Sequence, residues 1–149
     1  MRARGENMRL FGVFEYLLSK SSSVPSEVVS ESPKPESQLP GVVEIDVTEL
    51  MAERQNGNSL LLLDCREPHE WIHMRIPGSL HVPMNTIPYR LAELDKEAEI
   101  VVVCAHGVRS YDVAGYLTEN GFSARSLKGG LAMWHAQGGD VESDYSKTK

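Results

Sequence analysis

Cysteine is scarce in this chain: only Cys65 and Cys104 occur in 149 residues. Two cysteines are too few for a disulfide scaffold, and they lack the paired spacing of a zinc site, so no metal is expected. A reducing, cytoplasmic setting is the simpler reading. Basic residues are outnumbered, 15 Lys and Arg against 21 Asp and Glu, for a formal net charge of −6. That balance excludes nucleic acid as the main partner, because a phosphate-binding footprint is basic. Long apolar runs are also missing, and none nears the about eighteen residues of a transmembrane segment. No internal repeat is visible.

What remains is ordinary globular material, 41% hydrophobic and 24% charged. It is enough for one domain that buries a core unaided, with a short extension. The extension occupies residues 1–40. Arg2, Arg4 and Arg9 precede an apolar run from Leu10 to Leu18, loosely like a signal peptide, but Glu15 interrupts the run and no Ala-x-Ala site follows. Leu10, Phe14, Leu17 and Leu18 fit helical spacing instead. A short amphipathic helix over about 8–19 is expected, able to rest on its own domain, dock a partner or touch a membrane surface. Residues 20–40, rich in Ser and Pro, read as a linker. The folded domain is expected over 41–140 and a tail over 141–149.

Within that domain, apolar strands alternate with helical stretches. Val42 to Ile45 reads as a short strand, followed by a helix capped by Asp46 or Thr48 that ends at Asn56-Gly57. Leu60 to Leu63, stopped by Asp64, reads as a strand buried on both faces. A helical turn over Glu67 to Trp71, a turn at Ile76-Pro77-Gly78 and a strand over Leu80 to Pro83 follow. Ile87, Leu91 and Leu94 predict a helix by their spacing. Ile100 to Val103 is a second buried strand that runs directly into Cys104. A helix over Ser110 to Glu119 stops at Asn120-Gly121. Phe122 to Leu127 is the last strand, and Gly129-Gly130 precedes a helix over Leu131 to Ala136. The alternation implies an α/β fold, a central parallel sheet of about five strands with helices on both faces. Sites in such folds form at the carboxyl ends of strands, and the loop after Cys104 holds that position.

The segment Cys104-Ala105-His106-Gly107-Val108-Arg109-Ser110 carries the chemistry. Cysteine is a nucleophile only as thiolate. A following helix would offer free N–H groups and a positive dipole end. Gly107 lets successive amides point into one concavity, and Arg109 adds a fixed positive charge. The arrangement would cradle a thiolate, a persulfide sulfur or a substrate oxyanion. The plain alternative is a small buried residue ending a strand.

At this point the chain resembles the rhodanese family, over about Val42 to Gly138. Asp64-Cys65-Arg66 with Glu70-Trp71 is similar to the family's Asp-x-Arg…Glu-aromatic segment, and Ile76-Pro77-Gly78-Ser79 to its Ile-Pro-Gly-Ala turn. The Cys104–Ser110 loop resembles Cys-x-x-Gly-x-Arg-Ser, and Leu127-Lys128-Gly129-Gly130 with Trp134 resembles the closing Leu-x-Gly-Gly…Trp. The resemblance implies a rhodanese-like fold and a ping-pong sulfurtransferase without a cofactor. Cys104 would accept a sulfane sulfur from thiosulfate or a persulfide donor and pass it to cyanide, a thiol or a protein partner. Exchange at sulfur needs nucleophilicity and access more than a general base, and His106 is not assigned that role. Related phosphatases and arsenate reductases carry five residues between Cys and Arg, whereas four separate Cys104 from Arg109 here. A non-catalytic scaffold is the remaining alternative, although it would not require Cys104, Gly107 and Arg109.

Two departures from the family pattern stand out. Met74-Arg75 replaces Gly-His before Ile-Pro-Gly, which is expected to alter the domain surface rather than remove activity. Ala105 and His106 stand where thiosulfate-preferring relatives carry Arg or Lys, which argues against thiosulfate as the physiological donor. Asp64, Arg66 and Glu70 are read as structural, with Arg66 and Glu70 paired across a helical turn. Trp71 and Trp134 are read as packing residues. Cys65 is either an inert buried thiol or a resolving thiol for Cys104.

Overall fold

The structure, a computed structural model, describes residues 41–147. The expected amphipathic helix and Ser/Pro-rich linker lie outside the described residues. Five strands form one wholly parallel sheet: β1 (Val43–Ile45), β2 (Leu60–Asp64), β3 (Leu80–His81), β4 (Glu99–Val103) and β5 (Ser123–Leu127). Their order across the sheet is β1-β5-β4-β2-β3. The central pair is in register from Leu60 opposite Glu99 to Asp64 opposite Val103.

Alternation along β4 divides the core. Ile100, Val102 and Cys104 face one layer, with Val113, Ala114 and Leu117 of a helix α4 (Val108–Glu119). Val101 and Val103 face the other, with Val47 and Leu50 of α1 (Val47–Gln55) and Leu131 and Trp134 of α5 (Gly130–Ala136). Beyond the exposed Glu99 both faces of β4 are therefore dry, which is why Ile100 to Val103 is an unbroken apolar run. Asp46, rather than Thr48, caps α1. Its Oδ1 accepts the Glu49 amide at 2.8 Å while Glu49 Oε2 accepts the Asp46 amide at 3.1 Å.

A short helix α2 (Pro68–His73) follows β2, longer at its C-terminal end than the expected turn. The expected helix through Ile87, Leu91 and Leu94 is broken. Met84–Thr86 and Leu91–Glu93 are 3₁₀ turns flanking a one-turn helix α3 (Ile87–Arg90). Arg90, at φ −118°, leaves the helical region, and Arg90 Nε bonds Glu93 at 3.0 Å. Ile87 and Leu94 still reach the core, so the spacing reported burial but not continuity.

The strand order has one consequence for function. The chain leaves β2 toward β3 at one edge, but leaves β4 toward β5 on the other side. Connections that part in opposite directions from adjacent strands open a crevice at their carboxyl ends. The loops after β2 and β4, which begin with Cys65 and Cys104, flank that crevice.

Candidate active site

Cys104 is 1% exposed and directly follows β4. Its Sγ accepts the backbone N–H of Gly107 at 3.0 Å and of Ser110 at 3.2 Å. Both donors belong to the tight turn that starts α4, where free amides favour negative charge. The Ser110 hydroxyl lies 3.3 Å from Sγ and 2.8 Å from the hydroxyl of Ser126 on β5. Ser110 and Ser126 are fully buried, so this chain of polar atoms fixes the inner side of the loop.

Two glycines make the turn possible. Gly107 has φ +95°, and a Cβ there would lie 2.9 Å from the Gly129 amide nitrogen. A Cβ on Gly130 would lie 2.5 Å from the Cys104 carbonyl oxygen. Its absence lets the start of α5 close on the loop: Leu131 donates its N–H to the Cys104 carbonyl at 2.8 Å and Ala132 to the Ala105 carbonyl at 3.0 Å. Ala105 is half-buried, and His106 and Val108 stand exposed on the outer edge.

Arg109 is not a free charge beside the sulfur. Its guanidinium makes a two-point ion pair with Glu70 of α2, at 2.9 Å for each bond. Glu70 Oε2 also accepts the Glu67 amide at 3.0 Å. Arg109 above all, through these bonds, holds the Glu70 carboxyl down at about 2, against partial burial. Glu70 in turn raises the Arg109 guanidinium above its usual range. The pair ties α2, which follows β2, to α4, which follows β4.

The expected Arg66–Glu70 pair does not form. Arg66 is buried and turns back to Asp64, with Nη2 2.8 Å and Nε 2.9 Å from its carboxylate oxygens. Nη2 also donates to the Met74 carbonyl at 2.6 Å. The sheet brings Arg109 to Glu70, which leaves Arg66 for Asp64 at the end of β2.

Arg75, expected to alter the domain surface rather than remove activity, is also buried. Its Nε lies 3.0 Å from Glu142 and its Nη2 2.6 Å from Asp144. Its guanidinium stacks over Trp71 at 4.8 Å, and Trp71 stacks on His81. Trp71 is thus a packing residue within a stack, and Trp134 is buried with Nε1 bonded to the Asp140 carbonyl at 2.8 Å. Ser126 and the Arg75 partners were not singled out by sequence reasoning. The only local signal for Ser126 was a hydroxyl residue beside Leu127 in a core strand.

Cys65 points into the same core layer as Cys104. Burial, reinforced by the neighbouring Cys104 and Asp64, pushes its thiol well above the usual range. Among the described residues, no cluster of three or more His, Cys, Asp or Glu could hold a metal ion, and no helix is long and apolar enough to cross a membrane.

A parallel α/β sheet with a cysteine held by helix-start amides at its crevice defines a class of small thiol-bearing domains. Comparison narrows it. The family model for the rhodanese-like domain matches residues 46–137. A sulfurtransferase of Allochromatium vinosum is 36% identical over 98 residues, covering 65% of this chain and 92% of its own. The thiosulfate sulfurtransferase GlpE of Stutzerimonas stutzeri is 37% identical over 95 residues, 62% of this chain and 87% of its own. The crystal structure of a rhodanese-like domain protein from Staphylococcus aureus superposes with a TM-score of 0.63 at 32% identity, covering 68% of this chain and 98% of that one. The chain belongs to the rhodanese-like domain family.

Proposed function

We propose that this protein is a sulfurtransferase in which Cys104 carries sulfur as a persulfide between a donor and a thiophilic acceptor. The observation that carries this reading is the pair of backbone N–H groups aimed at Cys104 Sγ at the mouth of the crevice. The sulfurtransferase names of its relatives support the same activity. In the first half-reaction the thiolate attacks the outer sulfur of thiosulfate or a persulfide. A new S–S bond forms on Cys104, and sulfite or a thiolate leaves with the electron pair. In the second, the acceptor attacks the outer sulfur and the Cys104 thiolate departs. No other carrier is needed. A reducing, cytoplasmic setting goes with a mechanism that depends on a free thiol.

The loop favours sulfur over phosphate, because four residues between Cys104 and Arg109 make a smaller ring than the phosphatase-like loops. With Arg109 engaged by Glu70, neither Ala105 nor His106 supplies a fixed cation for a donor's sulfonate. That favours a persulfide donor over thiosulfate, with thiosulfate:cyanide transfer as a weaker activity.

Intact mass after incubation with thiosulfate or a persulfide donor tests the reading. A gain of one sulfur that disappears in Cys104→Ser is expected. No adduct from either donor would sink the proposal and favour a scaffold, and phosphate release from an aryl phosphate would favour the phosphatase-like alternative.

A further inference from the structure

Beside the catalytic loop, and distinct from the cradle around Sγ, α2 and α5 leave a cleft of about 340 Å³. Leu131 and Met74 give it apolar walls, and His69, His73 and Tyr145 form its rim. Arg66 and Glu70 also border it, but their charges are engaged by Asp64 and Arg109. Two of the residues that line the cleft also hold the Cys104 loop. Leu131 donates its N–H to the Cys104 carbonyl at 2.8 Å, and Glu70 grips Arg109.

Its outer wall is built by a part of the chain beyond the family match, which ends at residue 137. Arg75 and Glu142 exchange backbone hydrogen bonds, each 2.9 Å, and the Arg75 side chain holds Glu142 and Asp144. This fixes the 3₁₀ turn Asp144–Lys147 as a strap over α2. Tyr145 on that turn meets the His73 ring edge-on at 6.2 Å. The departure at Arg75 therefore has a visible result: it sets Tyr145 at the rim of a cleft next to the reacting cysteine.

We propose that this cleft is an acceptor subsite for the organic body of a low-molecular-weight thiol, and that Tyr145 sets acceptor choice. The inference rests on sulfur transfer through Cys104. The cleft's size is in the range of small-molecule sites, its apolar walls suit carbon, and the imidazoles suit the polar ends of a peptide-like thiol. It offers no unengaged permanent charge that would select an inorganic anion such as thiosulfate. In the step it serves, the acceptor, having released its proton to solvent, attacks the outer persulfide sulfur as a thiolate. The R–S–S bond forms, the bond to Cys104 breaks, and the Cys104 thiolate leaves with the electron pair.

The test uses the full chain preloaded with sulfur and two acceptors, glutathione and cyanide. In Tyr145→Ala, and separately in His69→Ala, the ratio of kcat/KM for glutathione over cyanide should fall about five-fold or more, through KM for glutathione. An unchanged ratio in both variants would overturn the subsite. S-methylglutathione, which cannot accept sulfur, gives a readout independent of turnover. It should bind the unmodified protein and perturb the NMR signals of His69 and His73, and Tyr145→Ala should weaken it. No binding would remove the subsite even if Cys104 carries sulfur. Binding without any sulfur adduct on Cys104 would instead defeat the transfer reading. Transfer to a carrier protein with no response to glutathione would replace the small thiol by a protein acceptor.

Discussion

Cys65 and Cys104 are near counterparts with opposite surroundings. Each follows one of two neighbouring strands, just after the register pair Asp64–Val103. Each is 1% exposed and packs in the same core layer. Yet the Cys104 sulfur receives the amide N–H groups of Gly107 and Ser110, whereas at Cys65 burial dominates and raises the thiol. After Cys104 the chain turns through Gly107 into a helix of twelve residues, so free amides face back toward the sulfur. After Cys65 the chain runs on as Arg66 and Glu67 before α2 begins, and its amides go elsewhere: Arg66 N–H to Asp64 and Glu67 N–H to Glu70. Strand end and burial alone do not favour a thiolate; helix-start amides do, which is the ground for proposing Cys104 rather than Cys65 as the nucleophile. The raised Cys65 thiol favours the inert alternative over a resolving role, because a neutral thiol attacks a persulfide poorly.

The sharpest way to break this comparison is to remove each sulfur in turn. Cys104→Ala should abolish sulfur uptake, read by intact mass. Cys65→Ala should still load fully and lose only about 1 kcal/mol of stability from the small void. Loss of loading or of turnover in Cys65→Ala would make Cys65 part of the chemistry after all. The next largest effect is expected from the turn itself. Gly107→Ala asks an L residue to hold φ +95° with its Cβ 2.9 Å from a backbone nitrogen, so the loop must shift. Misplacing the donors should slow transfer by about 100-fold while the fold survives, as read by single-turnover kinetics beside a thermal melt. A variant at wild-type rate would show that the amide cradle is dispensable.

How much of this was legible depended on how far each signal reaches along the chain. Strand β4, the end of α1 and the glycine turn after Cys104 are governed by neighbours within a few residues, and sequence reasoning placed them, while it narrowed the N-cap of α1 to Asp46 or Thr48. The partners of charges were another matter. Arg66 and Glu70 have the spacing of a helical ion pair, but Glu70 meets Arg109, 39 residues on, because β2 and β4 are adjacent. Arg75 finds Glu142 and Asp144 at separations of 67 and 69 residues. Neither choice can be read without the strand order. The region from Met84 to Leu94 failed for a local reason, since apolar spacing reports which residues are buried and not whether the helix between them is continuous.

The smallest expected effect concerns the Glu70–Arg109 pair, which ties the helix after Cys65 to the helix after Cys104. Glu70→Gln keeps the shape and removes the charge. Because the pair is partly exposed, its loss should cost only about 1 kcal/mol. The pH dependence is more diagnostic than the size. Glu70 titrates at about 2 in the folded protein, against an ordinary value of 4.5. A lowered carboxyl contributes stability that is full above the ordinary value and is lost as pH falls toward the folded one. The stability difference between wild type and Glu70→Gln should therefore be flat above about pH 5 and shrink steadily between 4.5 and about 2, as followed by urea unfolding at each pH. A difference that stays constant to pH 2.5 would mean that the carboxylate is not what holds Arg109. The bridge between the two helices would then rest on packing alone, and Arg109 would be available to the donor as a free cation.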